Sequence, residues 1–171
     1  MENKSNAENI KEQIAAKYDK FVDKFQEIFT QSKEKTKESM EKAMDVAREQ
    51  LTKAGEFDLE QGKEFKDSLV RDLKETSYQI KLLGEDAKDY LDPARIGAGA
   101  LATLSTLLHK AGSALDFLVE KTDKALTYKT GEVTSLGTFT CLKCEKKIHL
   151  KKTGHLPPCP GCSNTKFKKS Y

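Results

Sequence analysis

Four cysteines, the whole cysteine complement of this chain, fall as two C-x-x-C pairs near its C-terminus: Cys141 with Cys144, and Cys159 with Cys162. The segment from Glu145 to Pro158 separates the pairs, so each of two tight turns offers two sulfurs and one ion can clamp both. This spacing is that of a tetrahedral zinc site, and it predicts Zn²⁺ held by Cys141, Cys144, Cys159 and Cys162. Cysteines kept reduced in a cytosol are metal ligands more readily than disulfides, and this site leaves none over. A thioredoxin-like redox reading needs a βαβ context that the flanking sequence lacks. His149 and His155 lie between the pairs and are weaker candidates, as replacements for a cysteine or as contacts behind one.

Four thiolates complete a tetrahedron and leave no position for an activated water. The site is therefore expected to be structural, and no set of nucleophile, base and oxyanion donor elsewhere in the sequence supports an enzyme. The residues around the pairs read as strands: Thr130 to Thr140, with Gly131, Val133, Leu136, Gly137 and Phe139, then Ile148 to Leu150 and Thr165 to Lys168. About 40 residues bury too little apolar surface to fold alone, and metal supplies the deficit. Phe139 and Phe167 are expected to form the small core of this module rather than a platform for stacking bases.

Upstream, apolar residues recur at helical spacing. Ile10, Ile14, Tyr18, Phe21, Phe25 and Ile28, then Met40, Ala43 or Met44, Ala47 and Leu51, predict one long amphipathic helix over about 6–54; the gap between Phe29 and Met40 has no apolar anchor and is read as solvated or kinked, with Lys33 to Lys37 most simply a solvated face. Gly55 fits the residue after a helix end, and Asp58 with Gln61 resembles a capping box opening a second helix to about 91. That helix carries Phe65, Leu69, Leu73, Ile80, Leu83, Ala87 and Tyr90 or Leu91. Asp92 and Pro93 supply a cap and a first helical position for a third, over about 93–128. Its seam, Leu101, Leu104, Leu108, Ala111, Leu115, Leu118, Thr122 and Ala125, has the steps of bundle or coiled-coil packing. His109, on this seam, reads as a packing or surface histidine.

The fold class expected is thus mainly α: long antiparallel helices over 1–129 and a small β zinc ribbon over 130–171. With 33% charged residues and no Trp, one large globular core is disfavoured. Small residues at Gly97, Ala98, Gly99, Ala100 and Ala102 invite close backbone approach to another helix or another copy of the chain, so self-association through the third helix is an expectation. No apolar run reaches the roughly 20 residues of a membrane span. The polar first residues have no apolar run of the kind a secretory leader needs, and a cytoplasmic location is the default expectation. The near-balanced charge of the first helix also argues against a membrane-surface role.

Residues 131–171 carry 8 Lys against 2 Glu, whereas residues 1–130 carry 22 Lys and Arg against 25 Asp and Glu. Four thiolates and one Zn²⁺ together contribute −2, so the tail falls from +6 to about +4 when loaded. This modest basic balance admits a nucleic-acid partner through Lys143, Lys146, Lys147, Lys151, Lys152, Lys166, Lys168 and Lys169, with no base-reading code.

These residues together resemble a bacterial family of zinc-ribbon-containing proteins of unknown function. The resemblance rests on Thr130-Gly131-Glu132-Val133 with Gly137, on Cys141-x-x-Cys144, and on Pro158-Cys159-Pro160-x-Cys162 followed by Phe167. Gly55-Glu56 and Arg71-Asp72-Leu73 match more loosely. The family implies four cysteine ligands beside a helical region and supplies no activity. Such ribbons often have Gly after the last cysteine, where this chain has Ser163. The function expected is a non-enzymatic helical scaffold presenting the ribbon to a protein partner, with nucleic acid as the alternative.

Overall fold

The structure is a computed structural model that describes residues 2–84, 86, 89, 91–118 and 126–171. Its helices are α1 (Glu2–Gln31), α2 (Lys37–Lys53), α3 (Leu59–Leu83), a short α4 (Pro93–Ile96) and α5 (Ala100–Ala111), followed by a 3-10 turn over Gly112–Leu118. Six strands follow: β1 (Thr127–Lys129), β2 (Val133–Thr134), β3 (Gly137–Cys141), β4 (Lys147–Leu150), β5 (Gly154–His155) and β6 (Lys166–Ser170). The mainly α architecture with a small C-terminal β module is the one expected from sequence.

The single helix expected over 6–54 is two helices. Lys35 turns back over the end of α1 and donates its ammonium to the carbonyls of Phe29, Thr30 and Ser32, while stacking 4.8 Å over the Phe29 ring. The last carbonyls of a helix have no partner within it, and a lysine placed there satisfies them and suits the helix dipole. Thr36 then opens α2 with a reciprocal box: its hydroxyl accepts from Ser39 N at 3.1 Å and Ser39 Oγ accepts from Thr36 N at 3.0 Å. Lys33 to Lys37 is therefore a helix boundary rather than a solvated face. The five-residue turn folds α2 back on α1, and Phe25, Phe29, Met40 and Met44 share one buried cluster.

α3 begins where expected, with Asp58 accepting from Gln61 N at 2.8 Å after the left-handed Gly55. Phe57, Phe65 and Phe21 make edge contacts, with Phe57 and Phe65 centroids 5.2 Å apart. The helix ends at Gly84, and Ala87 and Tyr90, expected on its seam, lie outside the described residues. Asp92 and Pro93 do start a helix, but it lasts four residues because Gly97 and Gly99 take φ of 83° and 116°. The expected third helix is thus a short α4, then α5 and the 3-10 turn, with Leu101, Leu104, Leu108, Leu115 and Leu118 buried. Thr122 and Ala125 lie outside the described residues. Gly99 offers α5 no side-chain cap, and α1 supplies one instead: Asp19 Oδ1 accepts from Ala100 N at 2.7 Å and from Thr153 Oγ1 at 2.6 Å. A Cβ at Gly99 would meet Asp19 and Thr153 at an ordinary 3.5 Å, so it is the φ of 116° rather than crowding that favours glycine there.

The strands form a four-stranded antiparallel sheet in the order β1-β6-β3-β4 and a two-stranded β2-β5 sheet. β1, three residues ahead of the turn at Thr130, pairs Tyr128 with Phe167 of β6. Alternation along β6 places Phe167 and Lys169 inward, and Lys166 and Lys168 outward. Tyr128, Phe139, Leu156 and Phe167 build a small core beside Cys141 and Cys159, as expected of Phe139 and Phe167.

Candidate metal centre

Two near-identical turns build the centre. In the first, Glu145 N donates to Cys141 O at 3.0 Å and Cys141 N donates to Lys146 O at 2.9 Å. In the second, Ser163 N donates to Cys159 O at 2.8 Å and Cys159 N donates to Asn164 O at 3.0 Å. Each turn also aims an amide at its first sulfur: Lys143 N to Cys141 Sγ and Gly161 N to Cys159 Sγ, both 3.4 Å. The residue after the second cysteine is left-handed in both, Glu145 at φ 58° and Ser163 at φ 57°. Ser163 therefore adopts the conformation that glycine would take, and the turn is kept despite the departure in sequence.

The four sulfurs of Cys141, Cys144, Cys159 and Cys162 all lie within 4.8 Å of one another. Across the two turns, Cys141 Sγ is 3.6 Å from Cys162 Sγ and Cys144 Sγ is 3.5 Å from Cys159 Sγ. Zinc–sulfur bonds of about 2.3 Å in a tetrahedron require sulfurs about 3.8 Å apart, so the donor set fits an ion of that kind with little adjustment. None of the four is in a disulfide.

The environment favours thiolates at the base of each turn. Burial pushes the Cys141 thiol up, but the amides of Cys144 and Lys143 and the Asn164 side chain, which donates to the sulfur at 3.4 Å, bring it down to about 6. Cys159 is likewise lowered: burial opposes, and the amides of Gly161 and Cys162 prevail. Cys144 goes the other way, to about 12; the Lys146 amide lowers it, but the neighbouring sulfurs of Cys162 and Cys159 raise it more. Four sulfurs this close cannot all ionise without a cation among them.

Neither histidine between the pairs joins the cluster. His149 stands on the outer face of β4, 3.0 Å from Thr138 Oγ1, and His155 lies on β5 opposite Val133. His109 is exposed and bonds the Ser105 carbonyl one turn back, the surface alternative of the expected surface or packing role. No helix among the described residues is long and apolar enough to cross a membrane.

A buried polar network joins this module to the helices, and sequence reasoning missed it. Lys169 and Asp72 are both 0% exposed, with Lys169 Nζ 3.0 Å from Asp72 Oδ1. The ammonium also donates to Thr134 Oγ1, Ser135 O and Ser135 Oγ at 3.1, 3.1 and 2.7 Å. Asp72 accepts further bonds from Tyr18 OH at 2.9 Å, and from Thr134 Oγ1 and Ser135 N at 2.8 Å each. Burial pushes the Asp72 carboxyl up, but the Lys169 ammonium and the donors from Ser135 and Thr134 outweigh it and hold it below the usual range. Burial lowers Lys169, and Asp72 more than restores it. Beside this pair, Arg71 Nη1 meets Glu132 Oε1 at 2.6 Å, while Glu132 Oε2 accepts from Lys129 N. Arg71-Asp72 on α3 and the Thr130-Gly131-Glu132-Val133 turn are thus two halves of one contact. Lys169, expected among lysines free to meet phosphate, is instead consumed here.

A family model described as a zinc-ribbon containing domain matches residues 27–170, which takes in the network's α3 residues as well as all four cysteines. No curated protein and no solved structure matches the chain.

Proposed function

The chain belongs to the family of zinc-ribbon containing domains, and from that premise we propose that it is a non-enzymatic scaffold that holds Zn²⁺ in a structural site and presents its ribbon to a protein partner. The observation behind this reading is the pairing of a saturated four-sulfur site with a ribbon anchored to the helices through buried charge. An ion with four thiolate ligands has no open position for substrate, so it serves folding. An anchored ribbon offers its outer surface in a fixed orientation, which lowers the entropy cost of docking a partner. A cytoplasmic setting, where thiols stay reduced, belongs to the same reading.

Nucleic acid is the second reading, because Lys143, Lys146, Lys147, Lys151, Lys152, Lys166 and Lys168 are all exposed. Against it, Tyr128, Phe139 and Phe167 are buried, which removes the aromatic platforms on which single-stranded bases stack. Metal analysis of the purified chain tests the site: about one zinc per chain is expected, lost when Cys141 or Cys159 becomes serine. Photo-crosslinking residues placed in the intact chain test the presentation. Partner capture from Leu142, 53% exposed on the ribbon, supports it, whereas capture only from Leu59, 74% exposed on α3, refutes it. Retention on oligonucleotide that weakens when ribbon lysines become glutamine would favour the second reading.

A further inference from the structure

β4 is the end strand of the four-stranded sheet and pairs only with β3. The Cys141 N to Lys146 O bond fixes the phase of that ladder. Hydrogen-bonded pairs alternate along antiparallel strands, so Phe139 with Ile148 and Gly137 with Leu150 exchange bonds, whereas Lys147 and His149 turn their backbone N–H and C=O groups away from β3. Among the described residues nothing bonds those groups. The strand therefore carries an open edge at one end of the four-stranded sheet, of which β1 is the other end strand.

The charged side chains along the strand itself are of one sign, with the exposed Glu145 just ahead of it. The run is Lys146-Lys147-Ile148-His149-Leu150-Lys151-Lys152, with a lysine pair at each end, and all four lysines are exposed. Lys152 meets Glu12 of α1 at 2.9 Å; the other three have no carboxylate partner among the described residues. Outward on the same sheet face, Thr140 lies between Lys147 and Lys168. Such an edge repels a second copy of itself and attracts an acidic strand. Apart from the His149 imidazole, its outer face holds no aromatic ring, and no arginine, that would favour a nucleotide over a carboxylate.

We propose that the open edge of β4 accepts an extended acidic segment of a partner protein as an additional strand. The segment's backbone bonds Lys147 and His149, and its carboxylates face Lys147 and the flanking lysine pairs. Main-chain bonds supply affinity and the alternating side chains supply selectivity, as in other strand-addition interfaces. This inference rests on the reading of the ribbon as the partner-binding module.

The test uses the zinc-loaded full chain and an alternating Glu-Val peptide of about seven residues, with amide exchange followed by NMR. Exchange at Lys147 and His149 is expected to slow by about tenfold or more on adding millimolar peptide, and not on adding the Lys-Val counterpart or oligodeoxythymidine. H149P removes one outward N–H while leaving the β3 bonds intact, and K147E/K151E reverses the local charge. Both variants should keep their zinc and lose the protection. Absence of slowing, slowing that survives K147E/K151E, or slowing by oligodeoxythymidine alone overturns the proposal. Crosslinking separates it from the wider reading: a partner captured from Leu142 but never from Lys147 overturns the edge and leaves the presentation standing.

Discussion

Replacing Lys169 with methionine removes the countercharge of Asp72 while keeping a side chain of similar length in the same slot. Asp72 is 0% exposed and retains four neutral donors, from Tyr18, Tyr128, Thr134 and Ser135. Breaking a buried ion pair from one side costs about 3–5 kcal/mol, because the remaining charge is neither hydrated nor matched. For a chain of this size each kcal/mol moves the melting temperature by about 2–4 °C, so K169M should melt about 6–20 °C lower. The sign of the pH dependence distinguishes this cause from simple loss of packing. In the native chain the Asp72 carboxyl lies below its unfolded value, so its contribution is present above about pH 4 and is lost as pH falls through the folded value. Lys169 lies above its unfolded value, so its share is present below about pH 10 and is lost as pH rises through the folded value. Without Lys169, burial dominates and raises the carboxyl, which reverses the acid limb: K169M should gain stability relative to the native chain as pH falls from about 7 toward 4. Urea unfolding followed by circular dichroism, in metal-saturated buffer, reads both quantities. D72N/K169M should recover part of the loss, since no buried charge remains. A penalty below about 1 kcal/mol, a gap independent of pH, or no recovery in the double variant would refute the account.

Two local substitutions have clear signs. S163G should stabilise the loaded chain by about 1 kcal/mol in urea unfolding, because Ser163 sits at φ 57° where glycine meets no Cβ penalty. T36A removes the acceptor of Ser39 N, and should cost about 0.5–2 kcal/mol and fray the start of α2 in amide exchange.

The metal ligands were legible because their chemistry is local: four sulfurs in two short turns need nothing from the rest of the chain. The caps at Asp58 and at Asp92-Pro93 were legible for the same reason, since a cap acts within three residues. The break between α1 and α2 had local signals as well, Thr36 followed by Ser39 and the lack of any apolar residue between Phe29 and Met40, but the apolar pattern resumes after the gap at a helical spacing and masked them. The helical pattern of Phe25, Phe29, Met40 and Met44 is compatible with either a straight rod or a hairpin, and Lys35 decides by reaching back to the α1 carbonyls. Lys169 was the harder case. Period-two alternation along β6 puts it on the same side as Phe167, which marks it as an inward lysine that requires a buried anion. Its partner lies 97 residues away, on a helix where Asp72 follows Arg71 and resembles any surface acid. Long-range pairing of that kind is set by docking, and no periodicity within either element encodes it.

The position of Lys169 also links the metal to the helices. Cys141 is the last residue of β3 and pairs with Phe167 of β6; Lys169 lies two residues farther along β6, on the same inward face, opposite Phe139. Fixing Cys141 in the sulfur cluster therefore fixes the register that delivers the ammonium to Asp72. A module of about 45 residues cannot hold that register by apolar burial alone, so chelation should melt the sheet and withdraw Lys169, Thr134 and Ser135 together. α3 then loses the countercharge and the donors around Asp72 and the Tyr171 hydroxyl bonded to Thr76, whereas α2, which packs on α1 and α3, loses no direct contact. Amide exchange with and without chelator should accordingly speed up from Asp72 to Thr76 and leave Lys37–Lys53 nearly unchanged. Equal acceleration in both helices would mean that the metal stabilises the chain as one undivided unit. No acceleration in α3 would mean that the ribbon's anchor forms without its ion, and the coupling argued from the β3-β6 register would be wrong.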